Sequence, residues 1–280
     1  MLKAKRRHRK SERSKRLRQQ RNRGVGPDLN PALLIHNEAD RPATKIIKFC
    51  PMRYHLATTK TLQLGTLSYY KKHDNTFIKD STEGESTTEV PHSEAIEYST
   101  AELSTLPVAV TFRGSGTLRM MPGSRLVVRQ QFPNVYLFCA AAMDRSAEPD
   151  FDAARAFGFE GYDSFYEISD PDRFAEIIRG VLARELGHTI IAVHGRVMYD
   201  DEKAETFHSL GALVGQLAQR HFWWPLFVKR RVSSDSPEVM FEINREYRFA
   251  FIPVDEHGNV VAVDTEPKRI DAEPLRTVAD

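Results

Sequence analysis

Cysteine is scarce in this chain. Cys50 and Cys139 are the only two among 280 residues, too few for a disulfide framework. Both follow apolar runs, Ile46-Ile47-Lys48-Phe49 and Tyr136-Leu137-Phe138, as buried strand thiols of a reducing compartment do. Long apolar runs are missing as well. The longest uncharged apolar stretches reach about 10 residues, against roughly 20 for a membrane helix, and no apolar segment follows the basic start as a secretory signal requires. The expectation is a soluble, non-secreted, cytoplasmic chain with no membrane partner. A mitochondrial transit peptide is also Arg-rich, but it needs an apolar face, and residues 1–23 offer only Met1, Leu2, Ala4 and Leu17.

Net charge is small, +2, but it is unevenly placed. Residues 1–23 hold twelve Lys and Arg and a single acid, Glu12, which leaves +11 there and −9 on the rest of the chain. Such a run repels itself and has little to bury, so residues 1–43 read as a disordered basic arm and linker. Arg6, Arg7, Arg9, Lys10, Arg13, Lys15, Arg16 and Arg18 form its dense centre and point to nucleic acid, or a nucleic-acid-bound protein, as the partner. No Phe, Tyr or Trp lies between Met1 and Gly24, so base stacking is expected to contribute little there and the binding to be non-specific in sequence. A solubilising or targeting tail has the same composition.

Residues 44–280 are expected to form a single domain. Residues 45–50 predict a first strand, residues 55–64 a short helix closed by Gly65, and residues 66–70 a second strand. Residues 71–99 are polar and predict a long loop of the kind that carries function. Three apolar runs, residues 106–112, 125–131 and 135–142, are separated by Gly and Pro and predict an antiparallel meander. Asp170-Pro171-Asp172 opens the clearest helix, with Phe174, Ile177, Ile178, Val181, Leu182 and Leu186 at helical spacing and Gly187 at its end. Residues 189–198 predict a central strand and residues 207–222 a second helix. Strands at 248–254 and 259–264 flank a His257-Gly258-Asn259 turn. No repeat occurs, and the irregular order of elements indicates α+β rather than a doubly wound α/β fold.

Metal-ligand spacing is missing. His188 and His194 would lie about 20 Å apart on one strand, the cysteines are far from C-x-x-C spacing, and neither H-E-x-x-H nor an EF-hand loop occurs. Gly114-Ser115-Gly116 lacks the third glycine and the lysine of phosphate loops, and reads as a turn. No G-x-S-x-G elbow is present. The carboxylates remain. In Phe241-Glu242-Ile243-Asn244-Arg245-Glu246-Tyr247-Arg248, a helical start would put Glu242 and Glu246 on one face. A Glu beside an Arg at a strand edge stabilises developing positive charge or acts as a general base. A surface ion pair at the start of a strand has the same residues.

Several segments follow the order and rough spacing of one family over residues 45–255. They are Tyr54-His55-Leu56 through Leu64-Gly65-Thr66-Leu67, the loop with Asp80-Ser81-Thr82-Glu83-Gly84, the run Leu137-Phe138-Cys139-Ala140, and Asn244-Arg245-Glu246-Tyr247-Arg248. In these segments the chain resembles a group of uncharacterised bacterial and phage proteins with an ADP-ribosyltransferase-like core. It departs from the group's pattern at Ser81, where Pro is usual, at Ala140, where Ser is usual, and at Asn244, where Glu is usual.

The resemblance implies a split antiparallel β-sheet core with flanking helices, NAD as cofactor, and a transferase acting on or near nucleic acid in phage–host conflict. It places Tyr54 or His55 on the first core strand beside the nicotinamide ribose, Asp80 and Glu83 in the loop over the cofactor cleft, and Glu246 as the catalytic acid. Arg248 would hold the pyrophosphate or pair with Glu246. Cleavage of a nicotinamide–ribose bond passes through an oxocarbenium-like state, which a carboxylate stabilises as in glycoside hydrolysis. A noncatalytic nucleic-acid-binding protein, an NAD hydrolase and a nuclease are the rival readings.

Overall fold

The computed structural model describes residues 44–73, 83–106, 116–144, 146, 148–149, 151, 161–200, 205–219, 222–230 and 246–279. The fold is α+β and mostly antiparallel. The basic arm, including Arg6, Arg7, Arg9, Lys10, Arg13, Lys15, Arg16 and Arg18, lies outside the described residues, as do Asp80, Gly114 and Glu242.

Strand β1 (Thr44–Cys50) matches the first expectation. The next two are corrected. A 3₁₀ turn at Met52–Tyr54 is followed by β2 (Thr61–Thr66), which contains Gly65, and then by a short helix, α1 (Leu67–Lys72). Leu62 and Leu64 alternate inward as a strand requires. Thr66 caps the helix, its hydroxyl accepting from the Tyr69 N–H at 3.0 Å. The polar stretch expected as one loop contains β3 (Glu85–Pro91) and β4 (Ile96–Ser99), and a one-turn helix, α2 (Thr100–Leu103), follows it. Thr88 and Val90 face inward while Glu85 and Pro91 stay exposed, so a one-sided small sheet accounts for the low apolar content.

Strands β5 (Thr117–Met120), β6 (Arg125–Gln131) and β7 (Tyr136–Asp144) follow. They are not a meander, because β5 pairs with β4, β6 with β3, and β7 with β1, β2 and a late strand. Residues 107–112 lie outside the described set. After β8 (Ser164–Ile168) comes α3 (Pro171–Leu186), started by the Asp170 carboxylate, which accepts from the Arg173 N–H at 2.9 Å. Next are β9 (Thr189–Arg196), β10 (Met198–Asp200), β11 (Glu205–Thr206), α4 (Leu210–Gln219) and β12 (Val228–Arg230). Strands β13 (Glu246–Val254) and β14 (Lys268–Asp271) complete the sheet elements. The turn at His257-Gly258-Asn259 forms, but its return limb is reduced to a bridge between Val254 and Val260.

The large sheet runs β9, β13, β7, and then divides into a β1–β8 branch and a β2–β14 branch. Among the described residues β9 pairs with β13 alone, so it lies at an edge there and not at the centre. On one face α3 buries Phe174, Ile178 and Leu182 against Phe138, Phe249 and Tyr166. Each such side chain contributes roughly 1.5–3 kcal/mol of burial. On the other face Leu137, Val193, Ala250 and Ile252 meet Leu67, Phe132 and the Trp223–Phe227 turn. A smaller sheet, β11-β3-β6, has its own core with α4 around Val90, Val128 and Leu213.

Candidate functional site

The candidate site lies where the large sheet divides. One edge of β7 pairs with β13 from Tyr136 to Ala141. Along its other edge, β2 covers Tyr136 and Leu137, and β1 takes over at Ala141. Phe138, Cys139 and Ala140 lie between the two branches, and the carbonyl of Cys139 accepts from the Lys48 ammonium at 2.7 Å. The same ammonium sits 5.0 Å from the Phe138 ring centroid. Its pKa is lowered, because burial outweighs the opposing influence of Cys139, Cys50 and Glu246.

Side chains at the fork are small or half-buried. Cys139, Ala140 and Ala141 are only partly covered although they lie in the middle of a central strand. Alternation along β13 places Glu246 and Arg248 on the face shared with their register partners Ala141 and Cys139. Tyr70 closes over this face from α1. A Cβ on Gly65 would come within 2.7–2.9 Å of its ring, so the approach of helix to strand requires glycine there. The Tyr70 phenol pKa is raised well above normal, by burial first and then by Cys139 and Glu246.

Arg248 organises the carboxylates. Its Nη1 donates to Glu83 Oε1 at 2.5 Å and also to the Leu226 carbonyl. Its Nε and Nη2 both donate to Glu246 Oε1, at 3.1 and 2.6 Å. Arg248 and Glu83 have 0% side-chain exposure, whereas Glu246 retains 16%. Burial lowers the Arg248 pKa, but Glu246 and Glu83 outweigh it, and the net direction is strongly up. Glu83 enters the interior through a tight turn. Gly84 has φ +70° and its carbonyl accepts from the Phe132 N–H at 2.8 Å, while the Leu67 side chain leaves no space for a Cβ at Gly84.

Of the residues singled out from sequence, Glu246, Arg248 and Glu83 come together. Arg248 links the buried Glu83 to the partly exposed Glu246. Tyr54 and His55 do not join them. Neither is on a core strand: Tyr54 ends the 3₁₀ turn, 51% exposed, with the Arg53 guanidinium over its ring. His55 Nδ1 accepts from the Ala57 N–H at 3.1 Å, which leaves Nε2 as the donor to the Phe165 carbonyl at 2.8 Å. Nδ1 thus closes the turn on itself and Nε2 fastens it to β8, which β1 and β7 separate from β13 by about 14 Å of strand spacing.

A second hydrogen-bonded group had no signal in the sequence. On the face opposite Glu246, Tyr247 Oη lies 2.7 Å from His194 Nδ1, and His194 Nε2 lies 2.8 Å from Asp172 Oδ1. A carboxylate only accepts, so Nε2 carries the proton and Nδ1 accepts from the phenol. The Tyr247 pKa is raised, by burial first and then by Asp172, with Arg196 opposing. Asp172 was legible as a helix-start residue, but its link to His194 and Tyr247 depends on three elements distant in sequence.

Among the described residues no group of three or more His, Cys, Asp or Glu is placed to hold a metal ion, and no helix is long and apolar enough to cross a membrane. Comparison of the chain with protein-family models, curated proteins and solved structures returns no match.

Proposed function

We propose that this chain is an ADP-ribosyltransferase-like enzyme that uses NAD and acts on or near nucleic acid in the cytoplasm, with Glu246 as the carboxylate that stabilises the oxocarbenium-like state. The observation that carries this reading is the position of Glu246. It is a half-buried carboxylate at the mouth of a divided sheet, oriented through one oxygen by a fully buried arginine. Orientation before reaction is what makes such a charge effective, since no reorganisation is then needed as positive charge develops.

Lys48, Tyr70 and the half-buried Cys139 border the same fork. Arg248, with 0% side-chain exposure, acts on Glu246 and not on a pyrophosphate.

The test is NAD turnover by the full chain, with and without DNA, RNA or protein acceptors, followed by mass spectrometry of each component. The reading requires nicotinamide release by wild type and its loss in Glu246→Gln; absence of release, or an unchanged rate in the variant, overturns it. The twelve cationic residues of 1–23 favour a second reading, a noncatalytic nucleic-acid-binding protein. Deletion of residues 1–23 separates the two, because an enzyme keeps its turnover of NAD while a binding protein loses its affinity.

A further inference from the structure

We propose that Asp172, His194 and Tyr247 form a positioning relay that fixes the Glu246 end of β13 from the opposite face of the sheet. The inference rests on the assignment of Glu246 as the working carboxylate.

The ladder between β13 and β9 ends at the pair Tyr247 and Arg196. Beyond it, the Val197 N–H donates to the Glu246 carbonyl at 2.9 Å. Among the described residues Glu246 thus lies at the end of the β13–β9 ladder, and ladder ends open more readily than ladder middles, although its carboxylate must keep a fixed orientation on Arg248.

The relay counters this weakness. Tyr247 points away from Glu246 by strand alternation, and its phenol donates to His194, two residues before the end of β9. His194 is 5% exposed and stacks on Phe249 with ring centroids 5.2 Å apart. Its other nitrogen donates to Asp172 in the first turn of α3. The peptide that carries Glu246 is thus tied to a helix whose apolar face is packed on the sheet core. Packing alone would hold the Tyr247 ring on Phe249, 5.3 Å away; the two hydrogen bonds make the tether directional.

Amide hydrogen exchange by NMR on the full chain tests this, reading Val197 against the α3 core amides of Ile178 and Leu182. In Tyr247→Phe, which keeps the ring, exchange at Val197 should rise about tenfold, the effect of losing one ordinary hydrogen bond. The α3 amides should not change, and Asp172→Asn should give a smaller rise at Val197. Unchanged Val197 exchange in Tyr247→Phe overturns the proposal, as does an equal rise at all three amides. Where wild type turns over NAD, Tyr247→Phe should lower kcat and leave KM for NAD unaltered; a change in KM alone counts against positioning. Absence of NAD turnover in wild type overturns the enzyme reading, while the exchange experiment still decides whether the relay holds this strand end.

Discussion

Arg248 and Glu83 are 165 residues apart in sequence, yet they meet at 2.5 Å with no side-chain exposure on either. Removing one member of a buried ion pair leaves the other charge desolvated and uncompensated, which costs about 3–5 kcal/mol. Glu83→Gln and Arg248→Met are each expected to lower the unfolding free energy measured in urea, Arg248→Met by an amount of that order and Glu83→Gln by less, since Glu246 still pairs with Arg248. The double variant should cost less than the sum of the two, because the buried Glu83 charge is removed together with its partner and only the part-exposed Glu246 carboxylate loses its arginine. Additive losses in a double-mutant cycle would show that the two side chains are not coupled.

Glu246 should separate activity from stability. Its side chain is 16% exposed, and a glutamine carbonyl can still accept from Arg248. Glu246→Gln is therefore expected to shift stability by no more than about 1.5 kcal/mol, the net value of one hydrogen bond. NAD turnover should fall about 10²–10³-fold, as it does when one preorganised electrostatic group is removed from a reaction centre. Denaturation and nicotinamide release measured on the same preparation check both halves. A fall in turnover matched by a loss of folded protein would assign Glu246 a structural role only.

The alkaline limb of stability carries two opposed contributions from β1. Burial pushes the Cys50 thiol from 9.0 up to about 11, so between those values the folded chain holds a proton that the unfolded chain has released. The stability linked to Cys50 is present below pH 9.0 and is lost as pH rises through about 11. Lys48 has the opposite sign. Its folded pKa lies below 10.5, so the unfolded chain binds more protons just under pH 10.5 and stability rises with pH there. Cys50→Ala should make the fall in stability from pH 9 to 11 shallower, and Lys48→Met should make it steeper. Denaturation midpoints across that range, compared as slopes and not as levels, check both signs. Lys48→Met should also cost about 1–3 kcal/mol at neutral pH, because the Cys139 carbonyl loses its donor at the fork.

Local signals carried much of the fold. Helix α3 was legible because its cap, its first proline and its apolar spacing all agree within one segment. Strands β6 and β7 were legible from β-rich runs bounded by turn residues. Gly65 misled because it reads as a helix stop, whereas its role is to let Tyr70 approach β2. The small sheet was hidden by its polar, one-sided strands, and the meander by pairings that skip neighbours in sequence. In the site, Glu246 and Arg248 were visible as an acid and a base flanking Tyr247 just before an expected strand, which in the structure already includes Glu246. The burial of Glu83 under Arg248 was not, since it depends on a turn and a helix far from β13. The same holds for Asp172 and His194, which have no spacing relationship to Tyr247.

The basic arm should account for nearly all affinity for nucleic acid. With +11 on residues 1–23 and −9 on the rest of the chain, the body itself repels a polyanion. Binding through the arm releases condensed counterions, so log K against log salt should be linear, with a slope near −0.9 per phosphate neutralised on duplex DNA. If half of the twelve cations engage, the slope is about −5, and affinity falls by roughly three orders of magnitude between 50 and 200 mM salt. Removal of residues 1–23 should abolish both the binding and the slope, and duplexes of unrelated sequence should bind alike because the arm has no Phe, Tyr or Trp for stacking. Fluorescence anisotropy over a salt series, on full-length and truncated chains, measures all three. Salt-insensitive binding that survives truncation would move the nucleic-acid contact from the arm to the folded body.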